Sequence, residues 1–374
     1  MASFFNSFLS ISLTLIISLL VSFYVYGQKE TFFKSPSGIY LISADLHIHT
    51  VFSDGSVWPD IRVQEALRES VDLIAITDHI EYQPHAYDIP NPDRNRSFQI
   101  ATSYNNKPSD LIVINGAEIT RKMAPGHINA VFINNANKLI HNDSLSGIKE
   151  ANKQGAFVFW NHPNWTSQRK DGIAKLDPYH KFLIKEKLLH GIEVVNETTF
   201  SEEAFAIALE NDLTVLGTSD IHSLIDWAFN LSSGGHRPMT FVLSKNKDIS
   251  EIKNALLSNK TFIWFEDIII GKQENLMPVI YSNLTATPIG YKSNTILAQI
   301  ILNNHSSLPL KLEYTGTYNL HEKSKFLEIP AKSSQLIYIK TKEFKKNVEI
   351  SFRVLNAFIE PNKNPTAFYN LEIK

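Results

Sequence analysis

A chain of 374 residues is longer than one typical domain, and 43% hydrophobic against 20% charged residues supplies a sizeable core and excludes a disordered polymer. The formal net charge of −2 gives no bulk attraction to a polyanion, so no nucleic-acid partner is expected. Cysteine is absent, which removes disulfides, thiolate-bound zinc and thiol nucleophiles together and leaves histidines and carboxylates as the strong metal ligands.

From Phe8 to Tyr26 the residues are all apolar or Ser/Thr, ending at Val25-Tyr26-Gly27. Val at −3 and Gly at −1 suit cleavage after Gly27, so residues 1–27 read as a signal peptide that exports the remainder to the periplasm or the extracellular space. No Lys or Arg precedes the run, and it is about long enough to span a bilayer. An uncleaved anchor is the alternative, and a membrane partner is expected only in that case.

Past Gln28, apolar runs alternate with helical patterns. Strands are expected at 39–46, 71–77, 111–115, 128–133, 156–160, 191–195, 214–218 and 239–243, and helices at 59–69, 144–154, 178–189, 201–210 and 249–258. Pro59 suits a first helical turn, and Ser201 opens a helix with Glu202 and Glu203 behind it. Such alternation favours a parallel sheet or barrel. Between Ile80 and Asp110 a polar stretch with Pro84, Pro90, Pro92 and Pro108 is too long for a passive connection and reads as a loop or lid. Around Gln273–Pro278 helix patterns stop. Short alternating segments follow at 284–287, 296–302, 310–314, 335–340 and 348–354, the pattern of a small antiparallel β-sandwich. The domains are therefore residues 28–272 and 273–374.

The chemistry sits at the strand ends. In Asp45-Leu46-His47-Ile48-His49, two histidines two apart on a strand face the same way and can reach one ion. Asp54-Gly55 marks the turn that follows. A lone His-x-His is weak evidence, but ligand residues recur beside later apolar runs: Thr77-Asp78-His79, Gly116-Ala117-Glu118, Gly126-His127, Asn161-His162-Pro163, Glu193 with Asn196, and Ser219-Asp220-Ile221-His222. Core packing does not explain histidines at so many strand ends.

In these motifs and their order the chain resembles the polymerase and histidinol phosphatase (PHP) superfamily, over roughly Ala44 to Phe265; the export signal, Trp58-Pro59 and Ile80-Glu81-Tyr82 look most like secreted bacterial phosphodiesterases of that type. The resemblance implies a distorted (β/α)7 TIM-like barrel with a trinuclear site. It would place His47, His49, Glu118 and Asp220 on one ion, a bridging Glu118 with His127 and His162 on a second, and Asp54, His79 and His222 on a third. His127 is the assignment with the least fixed spacing. The cofactors implied are three divalent ions, Zn, Mn or Fe, since imidazole and carboxylate without thiolate suit those metals. Two ions sharing a carboxylate can hold a hydroxide to attack phosphorus, with Asp220 also accepting its proton. Asp78 is a candidate for orienting His79, and Arg121 for clamping phosphate. His236-Arg237 is a weaker clamp candidate, read first as a flexible loop with incidental charge. His85 lies in the expected lid. His141, His180, His190, His305 and His321 read as bystanders, and Trp58, Trp160, Trp165 and Trp227 as rim packing.

The leading expectation is thus an exported metal-dependent phosphoesterase acting on a small phosphorylated substrate, phosphodiesters preferred. The alternatives are a phosphomonoesterase of the histidinol-phosphatase type, or a non-catalytic surface-binding protein with a relic site. The sequence leaves the oligomeric state open.

Overall fold

The computed structural model describes residues 31–105 and 110–373. The expected signal peptide lies outside the described residues, and no described helix is long and apolar enough to cross a membrane. A curled sheet forms the first part of the molecule. Its strands are β1 (Tyr40–Asp45), β2 (Leu73–Ile76), β3 (Ile112–Ile119), β4 (Ile128–Val131), β5 (Phe157–Trp160), β6 (Gly191–Asn196), β7 (Thr199–Phe200), β8 (Thr214–Thr218), β9 (Met239–Ser244), β10 (Thr261–Phe265) and β11 (Ile268–Gly271). Between them run α1 (Pro59–Arg68), α2 (Arg96–Tyr104), α3 (Ser144–Lys153), α4 (Pro178–Lys185), α5 (Glu202–Glu210), α6 (Ile225–Phe229) and α7 (Ile249–Leu257).

Strand direction explains where the ligands fall. The pairs β1–β2, β2–β3, β5–β6 and β6–β8 are parallel, so their C-terminal ends share one face of the sheet. β3 is parallel to β2 as far as Asn115 and then antiparallel to β4 from Gly116, which lets a short hairpin enter an otherwise crossover-built sheet. Along β5, Phe157 and Phe159 join one apolar cluster while Val158 and Trp160 join another, as expected for strands buried on both faces. The seam between β8 and the β9–β10 pair is bridged by hydroxyls. Gly217 N–H donates to Thr240 Oγ1 (2.9 Å), Thr240 Oγ1 donates to the Gly217 carbonyl (2.9 Å), and Thr261 Oγ1 donates to the Val215 carbonyl (2.8 Å). Gly217 has to be glycine here, because a Cβ would lie 2.3 Å from Ile263 Cγ2.

The strands and helices expected in the barrel all form, with shifted ends. Helix α4 stops at Lys185, short of the expected Leu189, where Lys187 turns left-handed at φ 55°. The expected lid is only partly a loop: its second half is α2, packed on α1. β10 and β11 were not anticipated, nor was α8 (Gln273–Asn283), a helix with Pro278 inside it where helical patterns were expected to end.

The C-terminal part contains β12 (Leu284–Tyr291), β13 (Leu297–Asn304), β14 (Leu310–Tyr314), β15 (Asn319–His321), β16 (Phe326–Ile329), β17 (Ser334–Lys340), β18 (Asn347–Val354), β19 (Ala357–Phe358) and β20 (Thr366–Glu372). Two antiparallel sheets, ordered β12-β13-β17-β15 and β16-β14-β18-β20, stack as a sandwich. β13 alternates buried and half-buried residues along its length, the pattern that identifies a one-sided strand in the sequence. β19 leaves the sandwich and pairs in parallel with β11, and Asn356 Nδ2 donates to the Asp267 carbonyl (2.7 Å). The sandwich is therefore sewn to the sheet by backbone pairing.

Candidate metal centre

Beyond Asp45 the first strand continues irregularly between its neighbours: Thr77 N–H donates to the Ile48 carbonyl (3.0 Å) and His49 N–H to the Ile221 carbonyl (3.1 Å). Ile48 is buried, so the alternation of the chain turns His47 and His49 together to the other side. The turn after them brings in Asp54. Gly55 is required for that turn, since a Cβ there would lie 2.8 Å from Thr50 N. His79 follows β2 and bridges to Glu118 near the end of β3. His127 precedes β4, His162 follows β5, and Asp220 with His222 follows β8. His162 and Asp220 hold left-handed backbone at φ 25° and 47°, conformations a non-glycine residue adopts at a cost.

These turns bring His47, His49, Asp54, His79, Glu118, His127, His162, Asp220 and His222 together. Glu118 is the centre. Its Oε2 lies 3.2 Å from both His47 Nε2 and His49 Nε2 and 3.1 Å from His79 Nδ1. Its Oε1 lies 2.5 Å from His127 Nδ1 and 3.8 Å from His162 Nε2. Asp220 Oδ1 faces His47 Nε2 (3.1 Å) and His49 Nε2 (3.0 Å), while Asp54 faces His79 Nε2 (3.3 Å) and His222 Nε2 (3.2 Å). Three sets have ligand atoms mutually within 4.8 Å: His47, His49 and Glu118; His79, Glu118 and His127; and His49, Asp54, His79 and His222. His49 and His79 each stand in two sets, a more shared arrangement than the expected division.

The donor set fits cations. Asp54 Oδ1, Glu118 Oε1, His127 Nδ1 and Asp220 Oδ1 are buried and meet only the facing ligand atoms of the cluster, where buried polar atoms are ordinarily paired with groups outside such a set. His47 Nε2 and His49 Nε2 face each other at 2.9 Å, each presenting a ligand nitrogen. Burial pushes the Glu118 and Asp220 carboxyls up, but the surrounding imidazoles outweigh it and hold both well below the usual carboxylate range. Asp54 moves the same way, against its burial, through His222 and His79. Burial likewise lowers the His47 imidazole, yet Asp220, Glu193 and Glu118 carry it well above its ordinary value; His49, His162 and His222 also rise. Ionised carboxylates here draw protons onto imidazoles, and a metal ion can replace those protons.

Residues behind the ligands fix them. Glu193 accepts from His47 Nδ1 (2.7 Å), Thr218 Oγ1 (2.7 Å), His162 N–H (2.6 Å) and Asn196 Nδ2 (2.9 Å). The sequence counts Glu193 with Asn196 among the ligand residues at strand ends; in the structure they stand behind the ligands instead, Glu193 inside the wholly buried run Gly191–Asn196. Asp45 accepts from Ser219 N–H (3.1 Å), Ser219 Oγ (2.5 Å) and Arg237 Nη1 (2.8 Å), locking the end of β1 to the end of β8.

Several expectations are corrected. Asp78 does not orient His79: it accepts from Thr50 N–H (2.7 Å), Thr50 Oγ1 (2.7 Å) and Ser53 Oγ (2.6 Å), bracing the turn after His49. The neighbour that His79 Nδ1 meets besides Glu118 is Thr120 Oγ1 (2.6 Å). Arg237 is neither a clamp nor an incidental loop charge, being fully buried between Asp45 and Glu69. Trp165 is more than rim packing: it is 44% exposed with its ring 5.5 Å from His127 and 5.2 Å from His162. Trp227 is exposed, whereas Trp160 is core and stacks on His180, a buried bystander whose Nε2 donates to the Pro125 carbonyl (2.7 Å). Arg121 pairs with Glu81 (2.8 Å) and donates to the His141 carbonyl (2.7 Å), leaving its buried Nε without a partner.

Comparison with known proteins bears on this geometry. A two-domain protein from Bacteroides vulgatus, described as containing a predicted PHP-like metal-dependent phosphoesterase, is 36% identical with a TM-score of 0.85 and covers 92% of this chain and 100% of its own. A candidate metal-dependent phosphoesterase from Bifidobacterium adolescentis is 18% identical over 48% of this chain and 87% of its own, TM-score 0.38. PsfC from Pseudomonas syringae is 15% identical over 65% and 96%, TM-score 0.41. A family model described as an Ig-like domain matches residues 284–370. No curated protein matches significantly.

Proposed function

The chain belongs to the PHP-like metal-dependent phosphoesterases, and from that premise we propose that it is an exported enzyme that hydrolyses phosphodiesters at a centre of three divalent ions, Zn, Mn or Fe. The observation that carries this reading is the convergence of seven histidine and carboxylate side chains in three overlapping sets, with Asp220 and His162 facing the same ligand atoms. His47, His49, Glu118 and Asp220 would hold one ion, Glu118, His127 and His162 a second, and Asp54, His79 and His222 a third, with His49 and His79 close enough to serve a neighbouring ion as well. Bound divalent ions supply Lewis-acid polarisation of phosphoryl oxygens and bring the pKa of water toward about 7.

Hydrolysis forms one P–O bond to water, breaks one P–O bond to an alcohol, and moves a proton from the water to that alcohol. Asp220 Oδ1 is the proposed acceptor of the proton. It meets only the facing imidazoles, and Asn196 Nδ2 steadies the other oxygen (3.2 Å). Arg121, two residues beyond Ile119 and held by Glu81 (2.8 Å), is the proposed phosphate clamp. A preference for diesters is supported by surface for a second ester group: Tyr82, 52% exposed, has its ring 5.8 Å from His79, and Trp165 lies against His127 and His162.

Purified protein, analysed for metal and assayed on an aryl phosphodiester and the matching monoester with a chelated blank, tests the proposal. Faster diester hydrolysis that disappears with chelator is expected. Activity that survives chelation, or no activity with three ions bound, rejects it.

A further inference from the structure

A cavity of about 370 Å³ opens at the loop that follows Asn196. Glu197 and Thr198 line it after β6, Asn230, Ser233 and Gly234 between α6 and β9, and Glu266 in the β10–β11 turn. That volume is in the range of small-molecule sites, about 300–1,000 Å³. Glu197 ties the cavity to the reaction centre. It directly follows Asn196, which holds Asp220, and its own N–H donates to the Thr218 carbonyl (3.2 Å) two residues before Asp220. The Glu197 backbone is left-handed at φ 50°, a conformation that the fold holds at a cost. The far wall is held by His236, whose ring nitrogens face the Arg237 carbonyl (2.7 Å) and the Glu266 carbonyl (3.0 Å), one of them donating, and whose ring lies 3.8 Å from that of Trp264.

The lining chemistry selects a class of ligand. Two carboxylates accept, an amide and two hydroxyls both donate and accept, and no Lys or Arg lines the cavity among the described residues. That composition is wrong for a second phosphate. It is richer in donors than a cationic group needs, and it matches a group bearing several hydroxyls. We infer that this cavity receives one ester group of the substrate, a polyhydroxylated alcohol such as a sugar or glycerol-like polyol, with Glu197 accepting from its hydroxyls. The inference rests on the phosphodiesterase reading and adds the identity of one arm.

The test compares 4-nitrophenyl glyceryl phosphate with 4-nitrophenyl propyl phosphate, which differ only in hydroxyls. The metal-loaded protein should show kcat/KM higher by about tenfold or more for the glyceryl diester, since a site built to bond hydroxyls discriminates strongly against their loss. Glu197→Gln, and Ser233→Trp as a plug at the rim, should each bring that ratio to within about threefold of unity. Calorimetric titration of the metal-free protein, in which hydrolysis does not run, with glyceryl and propyl methylphosphonates should give the same ordering of affinities. Equal kinetics and equal binding for the two arms in the unsubstituted protein overturn the inference, as does a ratio that survives both substitutions. Preferential glyceryl binding that Glu197→Gln removes, in a protein that hydrolyses neither diester, upholds the cavity and rejects the phosphodiesterase reading instead.

Discussion

Replacing Glu193 by Gln isolates what the residues behind the ligands contribute. The carboxylate is buried and accepts four hydrogen bonds, two on each oxygen: His47 Nδ1 and Thr218 Oγ1 on one, His162 N–H and Asn196 Nδ2 on the other. Gln keeps the shape but has one carbonyl oxygen, so its amide must face two of those donors. A buried donor left unpaired costs about 1–3 kcal/mol, which for two donors is roughly 2–6 kcal/mol before the site relaxes. Thr218 can turn its hydroxyl away, so the lower half of that range is expected. The same change loosens His47 and the turn carrying His162. Loss of a partner behind a ligand typically weakens metal binding by about 10–100-fold, or roughly 1.4–2.8 kcal/mol at about 1.4 per decade. Chelator competition measures the affinity, and thermal unfolding of the metal-free protein measures the stability. Metal affinity within twofold of the unsubstituted protein, together with an unchanged metal-free midpoint, would refute the reasoning.

Five further outcomes are expected. Glu118→Ala should lose more than one ion per chain by elemental analysis, because both carboxylate oxygens face imidazoles of different sets, whereas His222→Ala should lose about one; equal losses would exclude a bridging role. Metal binding should release protons and tighten as pH rises, because His47, His49, His162 and His222 are shifted up in the metal-free site; calorimetry in buffers of different ionisation enthalpy reads the release. The stability those imidazoles give the metal-free protein is full below about 6.5 and declines as pH climbs through their raised values, while that of Asp54, Glu118 and Asp220 is full above about 4 and lost in acid; a chelated protein whose midpoint rises steadily from pH 6 to 8 contradicts the first part. Asp220→Asn should cut turnover by about 10²–10⁴, whereas Arg121→Ala should raise KM more than it lowers kcat. For export, mass analysis of the mature chain should find Gln28 first, and an intact Met1 terminus in the cytoplasmic fraction would exclude cleavage.

The sequence alone carried the alternation of strands and helices, the two-part organisation and the ligand types, because those depend on local periodicity and on residue chemistry at strand ends. His47 and His49 share a face by strand geometry alone, and His79, His162 and Asp220 follow apolar runs that can only be strands. The same reading stopped where partners are remote in sequence. Nothing local to Asp78 says that it braces Thr50 rather than His79, since the two reaches differ only in how β1 lies beside β2. Arg237, in a polar glycine-rich stretch, looked exposed; its burial follows from Asp45 and Glu69, brought to it by the barrel and far away along the chain. β10 and β11 were overlooked, and β19 joins β11 only because the sandwich folds back on the sheet. The sharing of His49 and His79 between sets, and the cavity beside Glu197, likewise exist only once the strand ends converge. Periodicity and ligand chemistry are properties of neighbouring residues, whereas a carboxylate's choice among donors is settled by the packing that decides which of them comes within 3 Å.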